Sequence, residues 1–259
     1  MRQSLLVICF FLFNWSNLKA QNSYTSANVH AHNDYQQPQP FFNAISRQVG
    51  SIEADVFLKD GELYVAHEAK EISKDRTLET LYLKPLQAQI RKNKGSVYAD
   101  LKVKLQFLID FKTEGNTTLP ALVQKLVNYP EIINNPTIQL VISGNRPHPS
   151  TWEKFPGYIY FDGTPGENYT AEQLNRVALF SANFRNYSKW DGTGSLEKAD
   201  EIKLQQAIEK AHGLNKKWRF WATPDNVNAW KTMMQVGVDY IGTDDVNGIT
   251  TFLKNVQAK

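Results

Sequence analysis

The side chains best suited to chemistry fall in four short stretches: His30 and His32 in NVHAHND, Glu53 and Asp55 in SIEADVFL, His67 in VAHE, and Asp110 and Lys112 in LIDFK. Glu53 and Asp55 are two residues apart, so on a strand they share a face. Two neighbouring carboxylates repel each other and lose water on burial, which is costly unless a cation or protons neutralise them. Pairing with lysines or arginines is one solution. A hard divalent ion, Mg2+ or Ca2+, is another, with Asp110 as a third oxygen ligand. Lys112 beside them is placed to hold a phosphate oxygen. Histidine titrates near neutral pH, so two imidazoles can serve as base and acid on opposite sides of a phosphorus centre. The His30/His32 pair itself admits three readings: a metal clamp, an acid/base device, or polar residues closing a strand.

These stretches must be carried by strands. Eight β-rich runs alternate with amphipathic helical segments: NVHAH, SIEADVFL, LQFLIDFK, TIQLVIS, GYIYFD, VALFSA, KWRFWA and VDYIGTD. That alternation is what a TIM-type (β/α)8 barrel, an α/β fold, requires. In such a barrel alternate side chains point into the lumen. Ile52, Ala54 and Val56 then face the helices while Glu53 and Asp55 face inward, as do Asp110 and Lys112. In the segment LEKADEIKLQQAIEKAHGL, Ile202, Ala207, Ile208 and Ala211 are read as one buried helical face. DVFLKDGELYVAHE departs from simple alternation, because Asp60-Gly61 reads as the turn of a hairpin inserted after the second strand. Its return strand brings His67 back to the end of the strand it left. His148 and His212 lack such company and read as surface residues.

Length and composition bound the answer. Residues 1–20 have the anatomy of a secretory signal peptide: Arg2, an apolar run from Leu5 to Phe13, and a polar stretch ending in Ala20. Residues 21–259 then form one domain of about 240 residues, expected to be secreted or periplasmic. Cys9 is the only cysteine and lies in the leader, which excludes disulfide and thiolate chemistry from the mature chain. Removing Arg2 and Lys19 lowers the formal charge from +3 to +1, so there is no electrostatic footprint for nucleic acid.

With these residues in place, the chain resembles the phosphatidylinositol phospholipase C/glycerophosphodiester phosphodiesterase superfamily, and within it the altered-inheritance-of-mitochondria type branch. AHND resembles the early strand-end histidine motif. IEADVFLKDGELYVAHE resembles the Glu-x-Asp metal pair followed by the second histidine. LIDFK resembles the third acidic ligand and its lysine, and RFWATPDNVNAWKTMMQVGVDYIGTDD the closing Trp-Thr strand, helix and final turn. The resemblance implies His32 and His67 as the acid/base pair, and Glu53, Asp55 and Asp110 as ligands of one divalent cation. It also implies Lys112 on the phosphate and Trp221 at the mouth. An internal hydroxyl would attack phosphorus, expel an alcohol and leave a cyclic phosphate that water opens.

HND stands where glycerophosphodiesterases usually have His-Arg-Gly. Arg146, at the end of the next strand, is the substitute phosphate contact, or else a loop-pairing arginine. His30, one step deeper, is expected to steady the site. Asn33 and Asp34 are expected to hold their loop through side-chain to backbone bonds, and Asp244 and Asp245 to cap the last helix. Trp221 with Phe161, Phe184 and Tyr187 forms either an apolar rim or core. The partner is then a small phosphodiester or phospholipid headgroup, with peripheral membrane contact as an option and a monomer expected. A lyase that stops at the cyclic phosphate, and a barrel that binds phosphorylated ligands without turnover, are the alternatives.

Overall fold

The computed structural model describes residues 24–258; the leader and Cys9 lie outside the described residues. In chain order the strands are β1 (Val29–Ala31), β2 (Ser51–Lys59), β3 (Glu62–Val65), β4 (Leu105–Phe111), β5 (Ile138–Gly144), β6 (Ile159–Gly163), β7 (Val177–Asn183), β8 (Lys217–Trp221) and β9 (Tyr240–Thr243). The helices are α1 (Phe42–Ser46), α2 (Lys84–Lys92), α3 (Gly115–Leu126), α4 (Pro130–Ile133), α5 (Ala171–Arg176), α6 (Lys198–Gly213), α7 (Val227–Val236) and α8 (Val246–Gln257). Strands pair in the order β1-β9-β8-β7-β6-β5-β4-β2-β3, and β1 also pairs with β2. That last pairing closes eight parallel strands into a TIM-type barrel, with β3 outside the ring as the antiparallel partner of β2.

The strands read from sequence are all present. Asp60 and Gly61 both have positive φ, 51° and 80°, the geometry of a tight hairpin turn that matches strand twist. The hairpin pairs Val56 with Val65, and the Ala66 N–H donates to the Asp55 carbonyl. His67 is thereby set directly above Asp55.

Two layers of apolar contact hold the barrel. Ile52, Ala54, Val56, Ile109 and Phe111 are buried on the outer face of the strands, under the helices. Inside, Leu108, Val141, Leu179 and Tyr240 form a separate buried cluster that floors the lumen. Full burial of such side chains contributes roughly 1.5–3 kcal/mol each. In α6 the buried face is Leu204, Ala207, Ile208 and Ala211. Ile202, read as part of that face, is instead exposed: at 100° per residue it lies well away from the line through Leu204, Ala207 and Ala211. Phe161 and Phe184 are fully buried and belong to the core, not to a rim.

Candidate active site

The parallel register places Asp55, Asp110 and Ser143 side by side on β2, β4 and β5. Above the apolar floor the inward positions therefore turn polar. They open into a cavity of about 700 Å3 lined by His32, Glu53, His67, Asp110, Lys112, Arg146, Arg219 and Trp221, among others. Gly144 keeps this line intact: its φ is +65°, and a Cβ there would stand 2.8 Å from Asp110 Oδ1.

His32 lies one residue past β1, and its Nδ1 is 2.8 Å from Asp244 Oδ1. Burial alone would lower the pKa of this imidazole, but the Asp244 contact and the Glu53 charge raise it above the ordinary value. His67 Nδ1 is 3.2 Å from Asp55 Oδ2 and 3.1 Å from the Tyr35 hydroxyl. Tyr35 O–H also lies 2.7 Å from Asp55 Oδ2, to which it donates, and 2.9 Å from Asn33 Oδ1. Each histidine thus has Nδ1 turned to a carboxylate, and both rings line the same cavity.

The carboxylates meet the chain's own cations. Lys112 Nζ lies 2.9 Å from Asp55 and 2.7 Å from Asp110, while Ser143 donates to Asp110 Oδ1 at 2.7 Å. Burial raises the Asp55 pKa despite Lys112. Burial alone would lower the Lys112 pKa, but Asp110 and Asp55 raise it. Glu53 Oε2 accepts from Arg219 Nη1 at 3.3 Å and sits 2.6 Å from His30 Nε2. Burial would raise the Glu53 carboxyl, yet His30 and Arg219 hold it well below the usual carboxylate range.

His30 is fully buried, and burial followed by the Arg219 charge pushes its pKa down to about 4. A neutral His30 protonated on Nε2 donates to Glu53 and accepts on Nδ1 from Ser51 Oγ at 2.7 Å, with Gln106 donating to Ser51 at 2.9 Å; Arg219 Nη1, 2.8 Å from that Nε2, is then held by Glu53 and not by the imidazole. This network is braced by Arg219, a residue that sequence reasoning missed. Its signal was its phase, since Arg219 and Trp221 share one face of KWRFW.

Asp244 is the other revision. Asp245 alone caps α8, accepting from the Gly248 N–H at 2.8 Å, whereas the Asp244 side chain is committed to His32. Asp34 accepts the Phe41 N–H at 2.6 Å and the Tyr82 hydroxyl at 2.9 Å, so it holds its loop as expected of a side-chain to backbone bond. Asn33 instead takes the left-handed conformation, φ 47°, and its side chain meets Tyr35. Arg146 donates to Thr164 Oγ1 at 2.6 Å and still lines the cavity. His148 and His212 are far from this group: the first bonds locally to Ser150, the second pairs with Asp239 at the surface.

Hard oxygen donors suit a divalent ion, and Asp55 Oδ1 is buried without a hydrogen-bond partner. The donor chemistry of Glu53, Asp55 and Asp110 therefore fits one. Among the described residues, however, no three ligating side chains converge into a ready cage. Lys112 and Arg219 occupy the same oxygens, so an ion would compete with them.

The AIM6-like phosphodiesterase domain family matches residues 19–132, and the glycerophosphoryl diester phosphodiesterase family matches residues 217–247. The two matches cover the strands carrying both histidines, all three carboxylates, Lys112 and Arg219. Together with the relatives below, these matches support the PLC-like phosphodiesterase superfamily, in its altered-inheritance-of-mitochondria type branch. An altered inheritance of mitochondria protein 6 homolog from Arthroderma benhamiae is 28% identical over 85% of this chain and 81% of its own length. The Kluyveromyces lactis altered inheritance of mitochondria protein 6 is 27% identical over 87% of this chain and 72% of its own. A crystal structure of a glycerophosphodiester phosphodiesterase from Parabacteroides distasonis superposes with a TM-score of 0.58 at 15% identity, covering 91% of this chain and 97% of that one. The barrel of this family is thus the scaffold on which the polar mouth is built.

Proposed function

We propose that the chain is an exported, monomeric phosphodiesterase acting on glycerol- or inositol-type phosphodiesters, with His32 and His67 as its acid/base pair. The observation that carries this reading is the matched setting of the two imidazoles. Each has Nδ1 occupied by a carboxylate partner, so the Nε2 atoms remain to exchange protons with a ligand in the shared cavity. One takes the proton from a hydroxyl of the substrate as that oxygen attacks phosphorus. The other protonates the departing alcohol oxygen, leaving a cyclic phosphate that water opens by the reverse use of the pair.

Lys112 and Arg146 hold the phosphoryl oxygens, where fixed cations in a shielded site stabilise developing charge. Trp221, 44% exposed at the rim, gives the alcohol portion an apolar wall. Glu53, Asp55 and Asp110 would hold a Mg2+ or Ca2+ ion, which when bound draws charge from the phosphoryl oxygens. Among the described residues no helix is long and apolar enough to cross a membrane.

Glycerophosphocholine, glycerophosphoinositol and phosphatidylinositol should be offered with and without chelator, and the product identified by phosphorus NMR. Turnover that chelator removes and Mg2+ or Ca2+ restores is expected. Turnover of none of the three, with metal supplied, overturns the reading, and chelator-resistant turnover overturns only its metal part.

A further inference from the structure

Beside the polar mouth lies a second cavity of about 710 Å3, lined by Tyr169, Leu174, Phe180, Tyr187, Ala207 and Trp218, among others. Its origin is a short element. α5 has 6 residues and runs directly into β7, so the outer helical layer is thin between α5 and the 16-residue α6. The outward faces of β7 and β8, at Phe180 and Trp218, floor the resulting cleft. Tyr187 packs edge-on against both Trp218 and Phe220, forming one aromatic wall.

The position of the cleft points to a ligand. Pro165, Asn186 and Tyr187 line both this cleft and the catalytic mouth, so the two spaces meet along one ridge. Trp218 is 2% exposed, and its indole N–H is buried with no hydrogen-bond partner. Buried donors ordinarily have one. The cleft thus offers an apolar, aromatic bed, while the Trp218 N–H lies sealed behind its own ring face. Its volume falls within the roughly 300–1,000 Å3 usual for small-molecule sites. An acyl chain suits this aromatic lining, and the shared ridge lets it run from a phosphate seated in the mouth.

We propose that this cleft takes the acyl chain of a monoacyl glycerophosphodiester whose phosphate lies in the mouth. The inference rests on the phosphodiesterase reading and narrows its substrate to a single-chain phospholipid. Lys210, on the α6 side of the cleft, gives that edge a positive charge suited to an anionic or zwitterionic lipid surface from which such a molecule is drawn, Lys203 beside it being paired with Asp200 at 2.7 Å.

The test uses the full chain and lysophosphatidylcholines with acyl chains of increasing length, all below their micellar concentration. The ratio of kcat/KM for the longest to the shortest chain is expected to exceed about tenfold, since apolar contact grows with each methylene. Ala207→Trp, which fills the cleft, is expected to bring that ratio close to one. Because that variant alters a packed helix face, hydrogen exchange on the wild-type chain supplies an independent arm. Dodecylphosphocholine should slow exchange in residues 203–211 and 177–183, whether or not it is turned over. A flat chain-length profile, or protection confined to the mouth, overturns the proposal while leaving the phosphodiesterase reading standing. Protection of the cleft with no diester cleaved at all would sink the phosphodiesterase reading and, with it, the role of the cleft as a substrate subsite.

Discussion

The two ends of the lumen are built by the same strands and obey opposite rules. At the floor, Leu108, Val141, Leu179 and Tyr240 meet with no ion pair among them. Two residues further along β4 and β5, Asp110 and Ser143 begin the mouth, and a few ångströms of strand rise separate the two regimes. The floor excludes water and fixes the barrel's cross-section. The mouth gathers charges that only that fixed frame holds close together. Stability and chemistry are thus separable along a single inward column of side chains.

That separation is open to attack. The largest effect expected is on catalysis: His67→Ala should lower phosphodiester turnover by about 10²–10⁴-fold. Its side chain is 48% exposed, so the urea midpoint should barely move. Full activity in a folded variant would remove His67 from the acid/base pair. The converse change, Leu179→Ala in the floor, should cost about 2–5 kcal/mol of stability while leaving kcat/KM per folded molecule unchanged; a catalytic defect at full stability would break the division.

The smallest effect sharpens it. Asp34 is a buried carboxyl lacking a cationic partner, and burial pushes its pKa up to about 6. A folded-state pKa above the unfolded value means that the native state retains the proton longer. The associated stability is therefore complete below about pH 4 and is lost as pH rises toward 6. The loss is on the order of 2–3 kcal/mol, at 1.36 kcal/mol per unit. Asp34→Asn should gain stability relative to wild type between pH 4 and pH 7 by that amount, measured by urea denaturation at each pH. An identical pH profile in the two proteins would show that Asp34 carries no such penalty.

The barrel was legible because its strands are short apolar runs with inward polar exceptions, and those exceptions kept their phase: Glu53 with Asp55, Asp110 with Lys112. Partnerships across the barrel were not legible. Arg219 reaches Glu53 over 166 residues of chain, and Asp244 reaches His32 over 212; no local pattern encodes either distance. Tyr35 was missed for a different reason. It follows a histidine motif in a loop, where a tyrosine signals nothing until the left-handed Asn33 turns the chain and lays the hydroxyl between Asp55 and His67. Ile202 shows the opposite error, a hydrophobic residue credited to a buried face by type when its angular position puts it in solvent.

One histidine of the proposed acid/base pair, His67, does not belong to the barrel's ring at all. β3 pairs in the sheet with β2 alone, and closure of the eight parallel strands never passes through it. The hairpin therefore lies outside the ring's closure yet is packed onto it, since Leu63 and Val65 are fully buried in the core and Glu62 pairs with Lys125 at 2.8 Å. In engineering terms, the position of His67 is set by the pairing register of one two-stranded arm. Two residues added to or deleted from the return strand alone shift that register while preserving side-chain phase, and so carry His67 along β2 away from its place over Asp55.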